Sequence, residues 1–283
     1  MADDDLALQT PPWMRRTLIA AAVAVMGLLV VLPLLMVLVA AFGKGFATWW
    51  AALTTPDAIS ALQLTLLTAA IVIPVNAIFG LFAAWALTRF EFPGKRVLLA
   101  LIDLPFAVSP VVAGLCLVLL FGREGWFADI LRAWDIKILF ARPGIVLATL
   151  FITFPFVVRE LVPLMQQQGS EEEVVARSLG ANAWTMFFRV TLPNIKWGLL
   201  YGVLLCGARA MGEFGAVSVV SGHIRGLTNT LPLHIEILYN EFDSTAAFAV
   251  SSLLAGLALV TLVLKFWLEA RHADGLAQAH RRH

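Results

Sequence analysis

The sequence predicts an all-α polytopic membrane protein with six transmembrane helices, on the basis of its composition, its apolar runs and the placement of its basic residues. Hydrophobic residues make up 60% of the 283 residues, charged residues make up 14%, and the mean hydropathy is +0.86. A soluble domain of this length does not need so many apolar residues to fill one core. The formal net charge of +1 argues against a nucleic-acid partner, because phosphate contacts require a basic face.

Six segments are long and apolar enough to cross a hydrocarbon core about 30 Å thick. They cover residues 18–42, 59–88, 97–121, 145–164, 197–220 and 244–268. The third segment contains Pro105 and Pro110, and a proline inside a helix removes a hydrogen-bond donor and crowds the preceding turn. We therefore expect the third span to bend or break between these two prolines.

Lysine and arginine accumulate beside one set of span ends. If the N-terminus lies inside, twelve basic residues flank the spans on the cytoplasmic side and six flank them on the opposite side. The cytoplasmic loops of membrane proteins carry such an excess of basic residues. Both chain termini are therefore expected in the cytoplasm.

The cytoplasmic loop of residues 166–196 has a helical pattern at its start. Ser170 is followed three residues later by Glu173, which is the spacing of a capping box, so we expect a helix that begins at Ser170. Val175 and Leu179 lie four residues apart, and they would place a short apolar stripe on one face of this helix. The pattern predicts a short amphipathic helix outside the hydrocarbon core.

A turn and a second helix are predicted in the remainder of this loop. Gly180 can adopt the positive φ that a side chain disfavours, and Asn182 is a suitable N-cap for a helix after it. We expect that helix, which carries Trp184, Phe187 and Phe188, to stop at Leu192-Pro193. Two interpretations remain open from composition: a helix-turn-helix exposed to a protein partner, or a helix lying in the lipid headgroups.

The loop resembles the Glu-Ala-Ala loop of ABC importer permeases. The similarity lies in Glu173-Val-Val-Ala-Arg-Ser-Leu-Gly180 and, nine residues later, Val190-Thr-Leu-Pro193. The positions that match the family pattern directly are Ala176, Gly180, Leu192 and Pro193, and Val190 is a conservative replacement of the family's isoleucine. Val174 stands where the family has glutamate. The resemblance implies that this coupling loop, residues 166–196, docks on a separate ATPase subunit, and that Ser170, Glu173, Ala176, Leu179, Gly180, Val190, Leu192 and Pro193 form the docking element.

Three further strings, together with Arg89-Phe-Glu-Phe-Pro-Gly94, extend the resemblance over most of the chain, from about Leu62 to Phe266. They are Phe106-Ala-Val-Ser-Pro-Val-Val-Ala-Gly114, Phe156-Val-Val-Arg-Glu-Leu-Val-Pro163 and Arg209-Ala-Met-Gly-Glu-Phe-Gly-Ala-Val-Ser-Val-Val-Ser-Gly222. They are similar to the W-type permease subunits of sulfate/thiosulfate importers, which have the type I ABC importer permease fold. The resemblance implies a multi-pass subunit of the cell inner membrane with a homologous T-type permease, two ATPase subunits and a periplasmic sulfate-binding protein as partners.

The predicted spans, together with the resemblance, divide the chain. Residues 1–17 are expected to form a cytoplasmic segment, 18–58 the first span and an outer loop, 59–268 the permease core with five spans, and 269–283 a cytoplasmic tail. The sequence has no Gly-x-x-x-x-Gly-Lys-Ser/Thr loop for nucleotide phosphates, so we expect no catalytic residue, no cofactor and no metal in this chain, with ATP and Mg bound by the partner ATPase. The five histidines do not form a metal-ligand pattern.

Arg209 and Glu213 are ionisable residues inside the fifth predicted span, where a charge is costly unless it has a partner or a function. They lie four residues apart and are expected to meet on one helical face. Two interpretations remain open: the pair only holds helices together, or it lines the translocation path or its gate. Ser109, beside Pro110 in the interrupted third span, is a second path candidate, because a broken helix exposes backbone donors to anions.

Two more intramembrane charges have structural interpretations. Arg159, near the cytoplasmic end of the fourth span, is expected to pair with a group on another helix. Asp103 precedes Pro105 by two residues, and we expect its carboxylate to accept bonds from the backbone amides freed at the break.

Three other functions compete with a sulfate permease. A molybdate or tungstate permease has the same Gly-Glu-Phe-Gly region, and its oxyanion has the same shape and charge as sulfate. A self-contained secondary anion transporter predicts an internal inverted repeat, which the two halves of this sequence do not display. A membrane enzyme would require a cluster of nucleophilic or acid-base residues, and none is visible in the sequence.

Overall fold

The computed structural model describes residues 11–281, and these residues form helices joined by turns, with no strand among them. Residues 1–10 of the expected N-terminal segment and residues 282–283 of the expected tail lie outside the described part of the chain. The helices are α1 (Pro12–Met26), α2 (Leu32–Phe42), α3 (Phe46–Leu53), α4 (Pro56–Arg89), α5 (Lys95–Ala107), α6 (Pro110–Phe121), α7 (Ala128–Ala133), α8 (Arg142–Gln168), α9 (Glu171–Ser178), α10 (Ala183–Met186), α11 (Leu192–Met211), α12 (Gly215–Ser221), α13 (Leu231–Asn240) and α14 (Ser244–Arg281). The prediction of an all-α chain is confirmed.

Four helical stretches of the described chain are individually long and apolar enough to cross a membrane. They are Trp13–Phe42, Pro56–Arg89, Arg142–Gln168 and Ser244–Trp267. Two bent pairs, α5 with α6 and the helix Ala183–Met211 with α12, bring the number to six if each pair counts as one span. By length and composition the six predicted spans are thus present, although two of them are not straight.

The third span breaks where the prolines predict. The axes of α5 and α6 differ by 112°. Val108 and Ser109 between them have ψ angles of 135° and 136°, which are extended values. Pro110 favours this conformation, because its ring clashes with a helical residue before it.

The fifth span also breaks, and this was not expected. The prediction of one helix over residues 197–220 is wrong, since the chain turns by 50° between Met211 and Gly215. Gly212 ends α11, and Phe214 precedes α12 with φ of −124°. Two glycines within four residues weaken the helix here, and the Glu213 carboxylate accepts a hydrogen bond from the Ala216 amide at 2.9 Å, which stabilises a new helix start.

Two other prolines are accommodated without a break. The π-helical segments Gly27–Val31 and Phe187–Thr191 each end two residues before a proline, Pro33 and Pro193 respectively. A π turn is wider than an α turn, and it gives room for the proline ring and its missing amide. The predicted helix end at Leu192-Pro193 is therefore wrong, because the helix continues through Pro193 into α11.

The core of the subunit lies where α4, α8 and α11 pack against one another. Asn76 of α4 donates a hydrogen bond to the Thr153 hydroxyl of α8 at 2.8 Å, and its amide lies 3.5 Å from the Cys206 sulfur of α11. All three side chains are buried. Amides and hydroxyls that bond across helices stabilise packing within the bilayer, where water cannot compete.

The two broken spans pack on each other. A Cβ placed on Gly114 of α6 would lie 2.8 Å from the Ala216 carbonyl oxygen of α12, so the helices touch through their backbones. A Cβ on Gly215 would lie 2.8 Å from the Pro110 Cβ, so the two breaks are neighbours in space. Small residues are what permit this approach.

Candidate functional site

The turn of the coupling loop has the predicted conformation. Gly180 follows α9 with φ of +85°, and its amide donates to the Arg177 carbonyl at 3.0 Å. The Ala181 amide donates to the Ala176 carbonyl at 3.0 Å, which closes the helix end. A Cβ at Gly180 would meet nothing within 4 Å, so the demand for glycine comes from the backbone angle and not from crowding.

Asn182 begins the second helix of the loop as predicted. Its side-chain oxygen accepts a hydrogen bond from the Thr185 amide at 2.7 Å. This bond satisfies one of the amides that a helix start leaves without a partner. The turn therefore has a defined conformation between two helices.

The capping box at the start of α9 does not form, and this prediction is wrong. The helix begins after Ser170 as expected, but the serine side chain makes no cap hydrogen bond. Glu173 turns inward, where one carboxylate oxygen accepts a hydrogen bond from the Thr191 hydroxyl at 2.8 Å. Its other oxygen lies 2.7 Å from Nε of Arg89, the last residue of α4. An ion pair with this half-buried arginine is stronger than the reciprocal cap bond, because the buried carboxylate would otherwise lose its solvation without compensation.

Arg89 is a site residue that sequence reasoning missed. Its guanidinium donates to the Met165 carbonyl at 3.3 Å and to the Gly169 carbonyl at 2.7 Å, at the end of α8. Arg89, which belongs to α4, therefore contacts both α8 and α9. In the sequence it is one of several basic residues beside a span end, and no spacing links it to Glu173.

The outer face of the loop is apolar and exposed. Leu179 is 83% exposed and Trp184 is 67% exposed. The ring of Trp184 stacks on that of Phe188, with centroids 5.9 Å apart. The exposed apolar side chains of the loop are Val174, Val175, Leu179, Trp184 and Phe188. An apolar patch of this kind on a protein surface indicates a contact with another protein or with lipid.

Four other predicted docking residues are less exposed or lie outside the turn. Ala176 is half-buried in α9. Val190 is half-buried in the π-helical segment, while Leu192 and Pro193 are the first residues of α11, half-buried and exposed respectively. These three connect the loop to the fifth span, and they are not part of the turn itself.

Arg209 and Glu213 form the expected ion pair, with the Arg209 Nη2 atom 2.7 Å from the Glu213 carboxylate. The Glu213 side chain is fully buried, and the Arg209 side chain is 34% exposed. The expectation that the two residues meet on one helical face is wrong, because Glu213 lies in the break after α11. The carboxylate therefore neutralises Arg209, and it also accepts a hydrogen bond from the Ala216 amide at the start of α12.

Ser109 lies in the other break and is exposed. The neighbouring breaks at Ser109 and Glu213 thus bring all three path candidates to one region of the subunit, although no bond between Ser109 and the ion pair is present among the described contacts. Backbone that is not helical at membrane depth must either be covered by protein or line a water-filled cavity.

Asp103 and Arg159 pair with each other. The Arg159 Nε atom donates to the Asp103 carboxylate at 2.7 Å, and its guanidinium lies 4.3 Å from the centre of the Phe106 ring. The predicted cross-helix partner of Arg159 is confirmed. The prediction that Asp103 accepts bonds from freed backbone amides is wrong, because the break lies beyond Ala107 and the carboxylate has a guanidinium within reach.

Similarities to known proteins agree with this architecture. Residues 76–273 match the family described as "Binding-protein-dependent transport system inner membrane component". The chain is 52% identical over 254 residues to the "Sulfate transport system permease protein CysW" of Synechocystis sp., and the match covers 90% of this chain and 92% of that protein. It is 38% identical over 244 residues to the "Sulfate transport system permease protein CysT" of Escherichia coli, covering 86% and 88% of the two chains.

The fold resembles a chain of a solved transporter. That structure is a "bacterial alginate ABC transporter in complex with alginate pentasaccharide-bound periplasmic protein", with a TM-score of 0.74 and 15% identity over 92% of this chain and 94% of the other. At this identity the similarity concerns the fold alone. The chain described here therefore belongs to the family of binding-protein-dependent transport system inner membrane components, and within it to the CysW-type permeases with the type I importer fold.

Proposed function

We propose that this chain is the W-type permease subunit of an ATP-driven importer of sulfate and thiosulfate in the cell inner membrane. The observation that carries the proposal is a hydrogen-bonded helix-turn-helix with exposed apolar side chains, in a chain whose relatives are named as sulfate permeases. A secondary transporter has no need for such a loop, since it draws no work from an ATPase. The sulfate names of both relatives favour sulfate over molybdate.

The coupling loop docks on a separate ATPase subunit in this proposal. Leu179, Trp184 and Phe188 supply most of its exposed apolar area, and their burial on the ATPase provides the binding energy. Glu173 does not reach the ATPase, because its carboxylate is buried against Arg89. Docking therefore depends on the shape and apolar character of this face more than on charge.

The partner ATPase subunits bind ATP and Mg, and the chemistry takes place outside this chain. Closure of two ATPase subunits moves the two coupling loops that are docked on them. A homologous T-type permease supplies the second loop and the other half of the path, and a periplasmic sulfate-binding protein delivers the anion. Rigid-body movement of helices then exposes the path alternately to the two sides of the membrane.

Arg209 and Ser109 line the path in this proposal. The guanidinium of Arg209 is one-third exposed although its partner Glu213 is fully buried, so it has donors that a tetrahedral oxyanion can approach. The fixed carboxylate beside it limits the affinity for a dianion. A weak contact of this kind permits release, which a tight site would slow.

Uptake of labelled sulfate tests the substrate. Cells that lack this subunit should lose most sulfate uptake and recover it when the gene is restored, while labelled molybdate uptake should remain unchanged. Unchanged sulfate uptake in the deletion strain would refute the substrate assignment.

Gly180→Val tests the docking role. A β-branched residue at φ of +85° is strained, so the turn should deform while the subunit still inserts in the membrane, and the ATPase should no longer co-purify. Gly226→Val is a matched control, because Gly226 also has positive φ (78°) and open space but lies in the loop between the fifth and sixth spans. Full co-purification with the Gly180→Val subunit would contradict docking at this turn.

A further inference from the structure

The first turn of α9 contains three consecutive glutamates that have different environments. Glu171 and Glu172 are exposed, whereas Glu173 is 8% exposed. A favourable interaction with the helix dipole requires only negative charge near the helix start, and the exposed pair already supplies it. The burial of Glu173 therefore has another reason, which its contacts indicate.

Four elements meet around the Arg89–Glu173 pair. Arg89 belongs to the end of α4, and it also holds the Met165 and Gly169 carbonyls at the end of α8. Thr191 belongs to the π-helical segment that leads into α11. The Arg89–Glu173 pair thus joins α9 to three membrane-spanning helices through a single group of contacts.

Two glycines flank α9 at positions where a hinge would be expected. Gly169 has φ of +70° and Gly180 has φ of +85°, and a Cβ at either position would meet nothing within 4 Å. Without further contacts, α9 could swivel about these glycines when it is pushed. Arg89 bonds the Gly169 carbonyl itself and pairs with Glu173 four residues later, so it closes the hinge on the side of α8.

We propose that the Arg89–Glu173 pair is the rigid link that transmits movement of the coupling loop to α4, α8 and α11, and that both are positioning residues for transport. This inference rests on the proposed function. When the ATPase moves α9, the helix and the spans move as one body because the hinge is closed. Weakening of the pair lets α9 follow the ATPase while the spans lag behind, so ATP is hydrolysed without transport.

The ratio of sulfate imported to ATP hydrolysed tests this link in liposomes that contain the assembled importer. Glu173→Gln should keep the co-purifying ATPase and its hydrolysis, and should lower the ratio roughly tenfold. Glu171→Gln removes the same charge from the same turn at an exposed position, and it should leave the ratio unchanged. An equal ratio in the two variants would overturn the proposal. Loss of the ATPase from the Glu173→Gln complex would also overturn it, because the pair would then serve docking.

Two further variants keep the test decisive if Glu173→Gln does not accumulate. Thr191→Val removes one hydrogen bond to the carboxylate and retains the ion pair, and it should lower the ratio in the same direction by a smaller factor. A ratio equal to that of the unchanged protein would overturn the link. The double variant Arg89→Gln with Glu173→Gln should be no worse than Arg89→Gln alone, because no buried charge is left without a partner. Losses that multiply would contradict a shared contact.

Amide hydrogen exchange separates this inference from the proposed function. Exchange in residues 171–178 of the purified complex reports whether α9 is held, and it does not depend on which anion is carried. Glu173→Gln should accelerate exchange there several-fold relative to Glu171→Gln, and equal rates would overturn the link. If the unchanged complex imports no sulfate, the proposed function fails while this measurement still decides the inference.

Discussion

Replacement of Gly80 by alanine tests how closely the core helices α4 and α8 pack. An added Cβ would lie 2.6 Å from both Cβ and Cγ1 of Val157, and 3.4 Å from the Val158 amide nitrogen. Carbon atoms in ordinary contact are about 3.5 to 4.0 Å apart. Val157 is fully buried, and its β-branched side chain has one strongly preferred rotamer in a helix. The two helices must therefore separate by about 1 Å.

The expected loss of stability follows from two opposing terms. Overpacking of a filled core costs about 1 to 3 kcal/mol, while alanine in place of glycine recovers about 1 kcal/mol of helix propensity. We expect a net destabilisation of about 1 to 2 kcal/mol for Gly80→Ala. Gly256→Ala in α14 is the matched control, because its Cβ would meet nothing within 4 Å and only the propensity gain remains. The two variants should differ by about 2 to 3 kcal/mol.

Equilibrium unfolding of the isolated subunit in mixed micelles measures this difference. The fraction of denaturing detergent at the unfolding midpoint should fall for Gly80→Ala and rise slightly for Gly256→Ala. Equal midpoints would show that α4 and α8 have room for a methyl group, and would refute the packing described here.

Three other changes have defined outcomes. Asn182→Ala removes the acceptor of the Thr185 amide, so it should cost the loop about 1 kcal/mol and accelerate amide exchange in residues 183–186; unchanged exchange would exclude the cap. Arg209→Met leaves the buried Glu213 carboxylate without its ion-pair partner and should destabilise the complex by about 3 to 5 kcal/mol. The double variant with Glu213→Gln should recover most of the lost melting temperature. No recovery would exclude the pair as the cause of the destabilisation. Burial lowers the pKa of His234 below its ordinary value of 6.5, so folding favours the neutral ring. The contribution of His234 to folding stability is present above pH 6.5 and is lost as the pH falls toward the lowered pKa. His234→Gln should remove this pH dependence of the melting temperature. The same pH dependence in the variant and the unchanged protein between about pH 5 and pH 8 would contradict this reasoning.

The two helix breaks show how far local patterns carry a prediction of the fold. The break before Pro110 follows from the restriction that a proline imposes on its neighbour, and that restriction is visible in the sequence. The break at Gly212 involves Glu213, whose buried carboxylate forms an ion pair with Arg209 and accepts a hydrogen bond at the start of α12. Because Arg209 and Glu213 lie four residues apart, they can pair both in a continuous helix and in a chain that breaks between them. The sequence alone therefore did not distinguish a continuous helix from a broken one.

Glu173 shows the same limit in the candidate site. A serine followed three residues later by glutamate is compatible with a capping box and with many other arrangements. The competing partner, Arg89, lies at the end of another span, and only the packing of α4 beside α8 brings it close. Gly180 and Asn182, by contrast, were predicted correctly because a positive φ and an N-cap are satisfied by atoms within a few residues.

The π-helical segment Phe187–Thr191 has a consequence for the length of the chain. A π turn contains one residue more than an α turn over the same rise, so the segment acts as a single-residue insertion between α10 and α11. Loss of one residue there would restore an α-helix and rotate α10 by about 100° relative to α11. The buried Phe187 would then turn to about the direction that Phe188 has now, and Trp184 and Phe188 would turn by the same angle away from their present directions. The angular position of the proposed docking face is thus set by the number of residues before Pro193, and a deletion at this place should be less tolerated than most substitutions in the segment.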